Sequence, residues 1–426
     1  MKLLSTIRAF VDERLGLDVL QALAHKKRVP IHGCSHFYYL GGMALFLFLV
    51  QIVTGVLLSL YYKPSPDQAF ESVRAIMTEV DFGWLIRSAH SWSANLLIGV
   101  LFLHLLTAYI MRAYRRPREM TWVTGVLLLG VFLAFGFSGY LLPWNELAFF
   151  ATRVGTAIVG VVPVIGDDLL LLARGGEDVT GDTLARFYAL HIIIFPLVAF
   201  GLLGIHLFLV QKHGMSIPAT GHPAKAEVGA LCSTMADHEH RVPSMPFVPH
   251  FLLRDMVGWY LALALLAALS ALFPWELGTK ADPFASAPEG IKPEWYFLFM
   301  FQTLKILPAR IGPFEGEVCG VLFFGLCGLV VLLIPFIDRG GKCRTVLNVL
   351  AAVAVAYFIF MTAWSWFSGA GQGALRIMLG SLLVAVVIPL LFPFTRPQTA
   401  WRRAVYASFT LTVIAFLCAS GWELWR

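Results

Sequence analysis

Long apolar runs separated by short polar loops set the pattern of this chain. Runs of nearly 20 or more mostly hydrophobic residues lie at 37–61, 88–111, 120–141, 187–210, 252–273, 317–337, 346–367, 374–393 and 402–421. An α-helix rises about 1.5 Å per residue, so each run is long enough, or nearly so, to cross a hydrocarbon layer about 30 Å thick. The pattern predicts an all-α, polytopic membrane bundle of about nine transmembrane helices. The stretch 145–172 is also apolar, but Asn145, Glu146, Arg153, Pro163, Asp167 and Asp168 interrupt it. It reads as short helices lying at the membrane interface. Residues 1–33 lack a secretory apolar core and read as an interfacial amphipathic segment.

Loop charge adds an orientation. Lys26, Lys27 and Arg28 precede the first span; Arg112, Arg115, Arg116 and Arg118 follow the second. Arg339, Lys342 and Arg344 follow the sixth, and Arg396, Arg402 and Arg403 follow the eighth. The loop after the first span instead carries Asp67, Glu71, Glu79 and Asp81. Basic loops stay inside, which puts the N-terminus inside and the C-terminus outside. Composition agrees: 58% hydrophobic and 14% charged residues leave too little charge to cover a soluble protein of 426 residues. The net charge of +6 therefore reports topology and a lipid bilayer, not a nucleic-acid partner. The six cysteines form no CxxC or CxxCH pair, so no zinc site, disulfide framework or standard covalent haem motif follows. No P-loop or nucleophile elbow is present.

Four histidines sit inside these runs. In HSWSANLLIGVLFLH, His90 and His104 are fourteen positions apart; in HIIIFPLVAFGLLGIH, His191 and His206 are fifteen apart. On a helix the first pair is separated by about 21 Å and about 40° of rotation, the second by about 22 Å and about 60°. Both spans run from outside to inside. His90 can then face His191 near the outer surface, and His104 can face His206 near the inner one. Two imidazoles from opposing helices are the axial set of a six-coordinate b-type haem, and two such haems would span the bilayer. A lone bundle histidine would more often bond a carbonyl or a serine. A proton path would want carboxylates beside the histidines, and these stretches have none.

Glycine spacing repeats the interval. Gly41 and Gly55 are fourteen apart in the first span, as are Gly125 and Gly139 in the third. Glycine has no Cβ, so a flat macrocycle can approach the backbone there. Arg87 and Arg186 precede the outer histidines and suit haem propionates, or else lipid headgroups.

With these residues in view, the chain resembles cytochrome b of the Rieske/cytochrome b complexes over most of residues 30–336. The resemblance rests on the histidine and glycine spacings, GYLLPW at 139–144, RFYALH at 186–191 and PEWY at 293–296. The histidine half is most similar to the chloroplast and cyanobacterial type, on the fifteen-residue interval, RRPREMTWVTG and ADPF. The organisation expected is a segment 1–33, a di-haem four-helix core at 34–215, a polar inner loop at 216–250, a quinol-site part at 251–345 and added helices at 346–426.

The resemblance implies a quinol:cytochrome c-type oxidoreductase in a bacterial inner membrane. Quinol is oxidised at an outer site, with one electron going to a Rieske iron–sulfur protein and a cytochrome c-type carrier. The other crosses through two non-covalent b haems to quinone at an inner site, coupled to proton translocation in a homodimeric complex. It implies Glu294 as the proton acceptor, Tyr296 and Tyr140 as pocket residues, and Asp255 with Arg254 at the inner site. Three positions depart from the family. Tyr39 stands where the chloroplast type has the cysteine of a third, covalent haem, so that haem is not expected; Cys34 lies five residues earlier. Gln211 and Thr107 stand where relatives carry basic residues. Two other classes share some of these features. A di-haem anchor of a dehydrogenase or hydrogenase has no use for PEWY, and a transporter with buried histidines would show no haem spectrum.

Overall fold

The computed structural model describes residues 2–16, 27–32, 34–217, 243–339 and 343–367. It is mostly helical, with seven helices long and apolar enough to cross a membrane: Ser35–Ser59, Gly83–Ile110, Glu119–Leu141, Gly181–His213, Phe247–Leu272, Gly316–Ile337 and Arg344–Trp366. They are the first seven predicted spans. The predicted eighth and ninth, 374–393 and 402–421, lie outside the described residues. The second and fourth spans begin earlier than their apolar runs because amphipathic turns extend them. GWLIRSA precedes His90, and GDTLARFYA precedes the apolar part of the fourth. The stretch after the third span forms two short helices, Glu146–Gly160 and Gly166–Arg174, as its broken pattern predicts. Lys2–Leu15 is helical too.

The chain divides into two compact units, Met1–Asn145 with Leu184–Lys280, and Glu146–Thr183 with Ala281–Arg426. In the first unit the first span packs on the second, the third on the fourth, and the fifth on both first and second. The two histidine-bearing spans pack less closely on each other than on their other neighbours in this unit. At mid-depth, Leu47, Phe48, Leu97, Leu128, Phe132, Ala199 and Ala262 form one buried cluster, with Phe48 and Phe132 edge to face at 5.1 Å. Leu97 lies midway between His90 and His104, so this layer separates two histidine levels. Lipid tails are as apolar as leucine, so close packing and interhelical hydrogen bonds hold such a bundle together.

Loop contacts secure the ends of this unit. The Arg118 guanidinium donates to the carbonyls of His213, Gly214 and Met215 at 3.0, 3.2 and 3.3 Å. These are orphan acceptors at a helix C-terminus, where a cation is favoured. Gly214, at φ +68°, ends that helix in a region open to glycine. Arg28–Pro30 pairs antiparallel with Ser244–Pro246, tying the N-terminal segment to the start of the fifth span.

In the second unit, Leu298–Ile306 packs between the sixth and seventh spans. A small hairpin joins Arg310–Ile311 to Phe314–Glu315. Arg174, buried between the two short helices, donates to Thr156 Oγ1 at 2.7 Å and to the carbonyl of Arg153 at 2.7 Å.

Candidate functional site

The two histidine spans face each other at the level of His90 and His191. Their ring centroids are 6.4 Å apart with planes at 72°. Each of the four histidines also lies against one of the four spaced glycines. A Cβ on Gly41 would meet His104 Cε1 at 3.3 Å, on Gly55 His90 Cε1 at 3.2 Å, on Gly125 His206 Cε1 at 3.2 Å, and on Gly139 His191 Cε1 at 2.6 Å. The glycines thus make room first for the imidazoles themselves. That pairing is between helices and is invisible to spacing along any one of them.

Three of the histidines have a hydroxyl at Nδ1. Thr54 Oγ1 lies 2.9 Å from His90 Nδ1, Thr124 Oγ1 3.0 Å from His206 Nδ1, and Ser138 Oγ 3.0 Å from His191 Nδ1. Each hydroxyl residue immediately precedes its glycine, so the dipeptides Thr54-Gly55, Thr124-Gly125 and Ser138-Gly139 carry this signal along the chain. Leu40 precedes Gly41, and His104 Nδ1 is buried with no hydrogen-bond partner.

The fifteen-residue interval has a structural resolution. Leu190–Ile194 is a π turn, closed by the Phe195 N–H to the Leu190 carbonyl, five residues back. Pro196 follows directly. Proline has no N–H, and its ring crowds the carbonyl four residues earlier, here that of Ile192, so the turn before it widens. A π turn takes up one extra residue. The remaining helix carries His191 and His206 as a fourteen-residue interval would, about 40° apart in the sense found for His90 and His104. The uninterrupted helix expected from the sequence would have left them about 60° apart in the opposite sense.

These residues fit a bis-imidazole iron site. A metal–imidazole bond is about 2.0–2.1 Å, and a ring nitrogen lies about 1 Å from its centroid, so two axial rings about 6 Å apart leave room for one metal between them. The hydroxyls supply acceptors at Nδ1, the second-shell feature that frees Nε2 for a metal. A helix pair standing apart, with glycine where neighbouring helices approach, is the cradle a planar macrocycle needs.

The remaining predicted residues fall as follows. Arg87 is buried in the second span and donates to the carbonyls of Trp275 and Glu276, the latter at 3.1 Å, and to Met77 Sδ at 3.3 Å. Its donors thus pin the segment after the fifth span. Arg186 and Arg254 are exposed. Asp255 is buried, and its carboxylate rests on Gly42, where a Cβ would meet Oδ2 at 2.1 Å. Gln211 Oε1 accepts from Lys27 Nζ. Thr107 Oγ1 donates to the His104 carbonyl at 3.0 Å. Tyr39 stacks on Phe251 at 5.1 Å, and Cys34 is a free thiol. Tyr140 is half-buried at the end of the third span.

In the second unit, Pro293 and Glu294 are followed by a 3-10 turn, Trp295–Phe297, that leads into Leu298–Ile306. Glu294 is extended at φ −52°, ψ 149°, and its carbonyl accepts from Phe297 N at 2.8 Å. Tyr296 is buried, with Trp295 and Phe297 edge to face against it at 5.5 and 4.8 Å. Burial disfavours the charged form of Glu294 and pushes its pKa up to about 7.

Residues 26–214 match the family model described as cytochrome b/b6/petB, and residues 280–373 the one described as cytochrome b(C-terminal)/b6/petD. The cytochrome bc complex cytochrome b subunit of Chlorobaculum thiosulfatiphilum is 44% identical over 348 residues, 81% of this chain and 76% of that one. Cytochrome b6 of Heliobacterium mobile is 43% identical over 210 residues, 49% of this chain and 99% of that one. A solved structure of a hyperthermophilic respiratory Complex III superposes with a TM-score of 0.69 at 28% identity, covering 96% of this chain and 98% of that one.

Proposed function

Because the chain belongs to the cytochrome b/b6 family, we propose that it is the quinol-oxidising membrane subunit of a bc-type complex. His90 with His191, and His104 with His206, hold two non-covalent b haems. Bound there, the haems supply one-electron transfer between the two histidine levels. Thr54, Ser138 and Thr124 hold the Nδ1 side of three of the ligands. Glu294, in PEWY, takes a proton from quinol, and Tyr296 and Tyr140 line quinol's path. Asp255 and Arg254 serve quinone at the other level. The partners are a Rieske iron–sulfur protein and a cytochrome c-type carrier, in a homodimeric complex. With Tyr39 in place of the cysteine, no third, covalent haem is bound.

The observation that carries this reading is the 6.4 Å separation of the His90 and His191 rings. A bundle held only by histidine–carbonyl bonds has no reason to keep two imidazoles at iron-bridging distance. The test is a dithionite-reduced spectrum and a pyridine haemochrome assay after acid–acetone extraction of the purified protein. Two extractable b haems per chain are expected, with none left on the polypeptide. A colourless protein would sink the proposal, and residual haem on the chain would overturn the non-covalent part.

The glycine contacts make a graded prediction. A Cβ at Gly139 comes within 2.6 Å of the His191 ring, inside any real contact, whereas one at Gly41 stops at 3.3 Å from the His104 ring. Gly139→Ala should therefore abolish one haem, while Gly41→Ala keeps both with only a perturbed spectrum. Equal haem content in the two variants would show that these contacts are not limiting.

A further inference from the structure

The four ligand histidines are not treated alike. The hydroxyl of Thr54 donates to the Val50 carbonyl at 2.7 Å, that of Thr124 to the Met120 carbonyl at 2.9 Å, and that of Ser138 to the Phe135 carbonyl at 3.1 Å. A hydroxyl has one proton. With that proton spent on its own helix, each oxygen is left to accept, and the proton between it and the imidazole belongs to Nδ1. The tautomer is then set: Nδ1–H is held and the lone pair is left on Nε2. His90, His191 and His206 are all oriented in this way. His104 is the exception. The residue that would supply its acceptor, one before Gly41 and fourteen before Thr54, is Leu40, and the His104 Nδ1 atom is buried with no partner.

We propose that Leu40, by withholding a hydroxyl from His104, raises the reduction potential at the His104–His206 level. The inference rests on the two-haem reading above. A held Nδ1–H gives an imidazole more anionic character and makes it a stronger donor. A stronger axial donor favours ferric iron and lowers the potential; second-shell hydrogen bonding is one of the protein's means of tuning haem. Two held ligands act at the His90–His191 level and only one at the other. Thr54, Ser138 and Thr124 are positioning residues in this account: they act on the iron only through an imidazole.

The test is a redox titration of both b haems in membranes containing the full complex, on Leu40→Thr and Thr124→Val. Leu40→Thr supplies the missing acceptor and should lower one midpoint. At the poise where that haem is half reduced in the unaltered protein, its reduced-to-oxidised ratio should fall about tenfold, the change that about 59 mV brings to a one-electron couple. Thr124→Val removes an acceptor from the same haem and should raise the same midpoint, while the other haem stays where it was. If Leu40→Thr fails to assemble, the rise in Thr124→Val decides the matter, because a merely structural defect has no reason to shift one potential upward. Two haems with unmoved midpoints in every assembled variant would overturn this inference. Absence of b haems from the unaltered protein would overturn the function proposed above instead.

Discussion

Deleting one isoleucine from the run Ile192–Ile194 leaves both haems in place, whereas deleting one residue between His90 and His104 costs at least one of them. The three isoleucines are adjacent, so removing any of them yields the same chain. The π turn over Leu190–Ile194 holds the residue in excess. Its removal leaves His191 and His206 fourteen apart, in the phase they already have, on a helix that Pro196 kinks in place of the π turn. The second span is α-helical throughout Gly83–Ile110 and has no slack. Loss of one residue there, for example Leu96, turns one imidazole about 100° away from its partner and draws it about 1.5 Å along the axis. Reduced-minus-oxidised spectra of the two variants read the result directly. Haem loss from the isoleucine deletion, with the protein still in the membrane, would show that the π turn itself positions His191.

Glu294→Gln should lower quinol oxidation by about 10²–10⁴-fold, the usual weight of a positioned proton acceptor. The haem spectrum should be unchanged, because PEWY contributes no ligand. The pH dependence follows from burial. Burial of Glu294 disfavours its charged form and holds its pKa up at about 7. The acceptor is the deprotonated carboxylate, which is scarce below that value and abundant above it. Turnover should therefore climb as pH rises through about 7 and then level off, with the residual rate of Glu294→Gln flat across the same range. Steady-state rates with a soluble quinol between about pH 5.5 and about pH 8.5 test both points. A climb that persists in Glu294→Gln would assign the titration to another group.

How much of this was legible along the chain varies by residue. The first seven spans were, because a segment in hydrocarbon must satisfy its own backbone and be apolar nearly throughout, so length and composition suffice. Their starts were not. Arg87, Ser88 and Arg186 belong to helical turns whose polar members are accommodated by packing or by the membrane edge, and hydropathy cannot register that. The histidine levels were legible from their intervals, but the phase of the fourth span was not. It turns on Pro196, which reads as one more apolar residue until its missing N–H is counted. Arg87 shows the same limit. One turn before His90 it suits a propionate, and in the fold its donors reach the carbonyls of Trp275 and Glu276, almost two hundred residues away.

From its residues alone the chain could be placed in a membrane, given two levels of paired histidines and matched to a family through GYLLPW and PEWY. Those are properties of single helices and short loops, where spacing along the chain is distance in space. Four matters awaited the structure: which glycine faces which imidazole, that three ligands have a hydroxyl and His104 has none, that a widened turn restores the register of His191, and that Glu294 is buried. The first two are contacts between segments far apart in sequence, and they depend on how helices are rotated and set in depth against one another, which no local run of residues specifies. The widened turn is local, set by Pro196, and shows only once the backbone hydrogen bonds are traced; the burial of Glu294 depends on what packs over it.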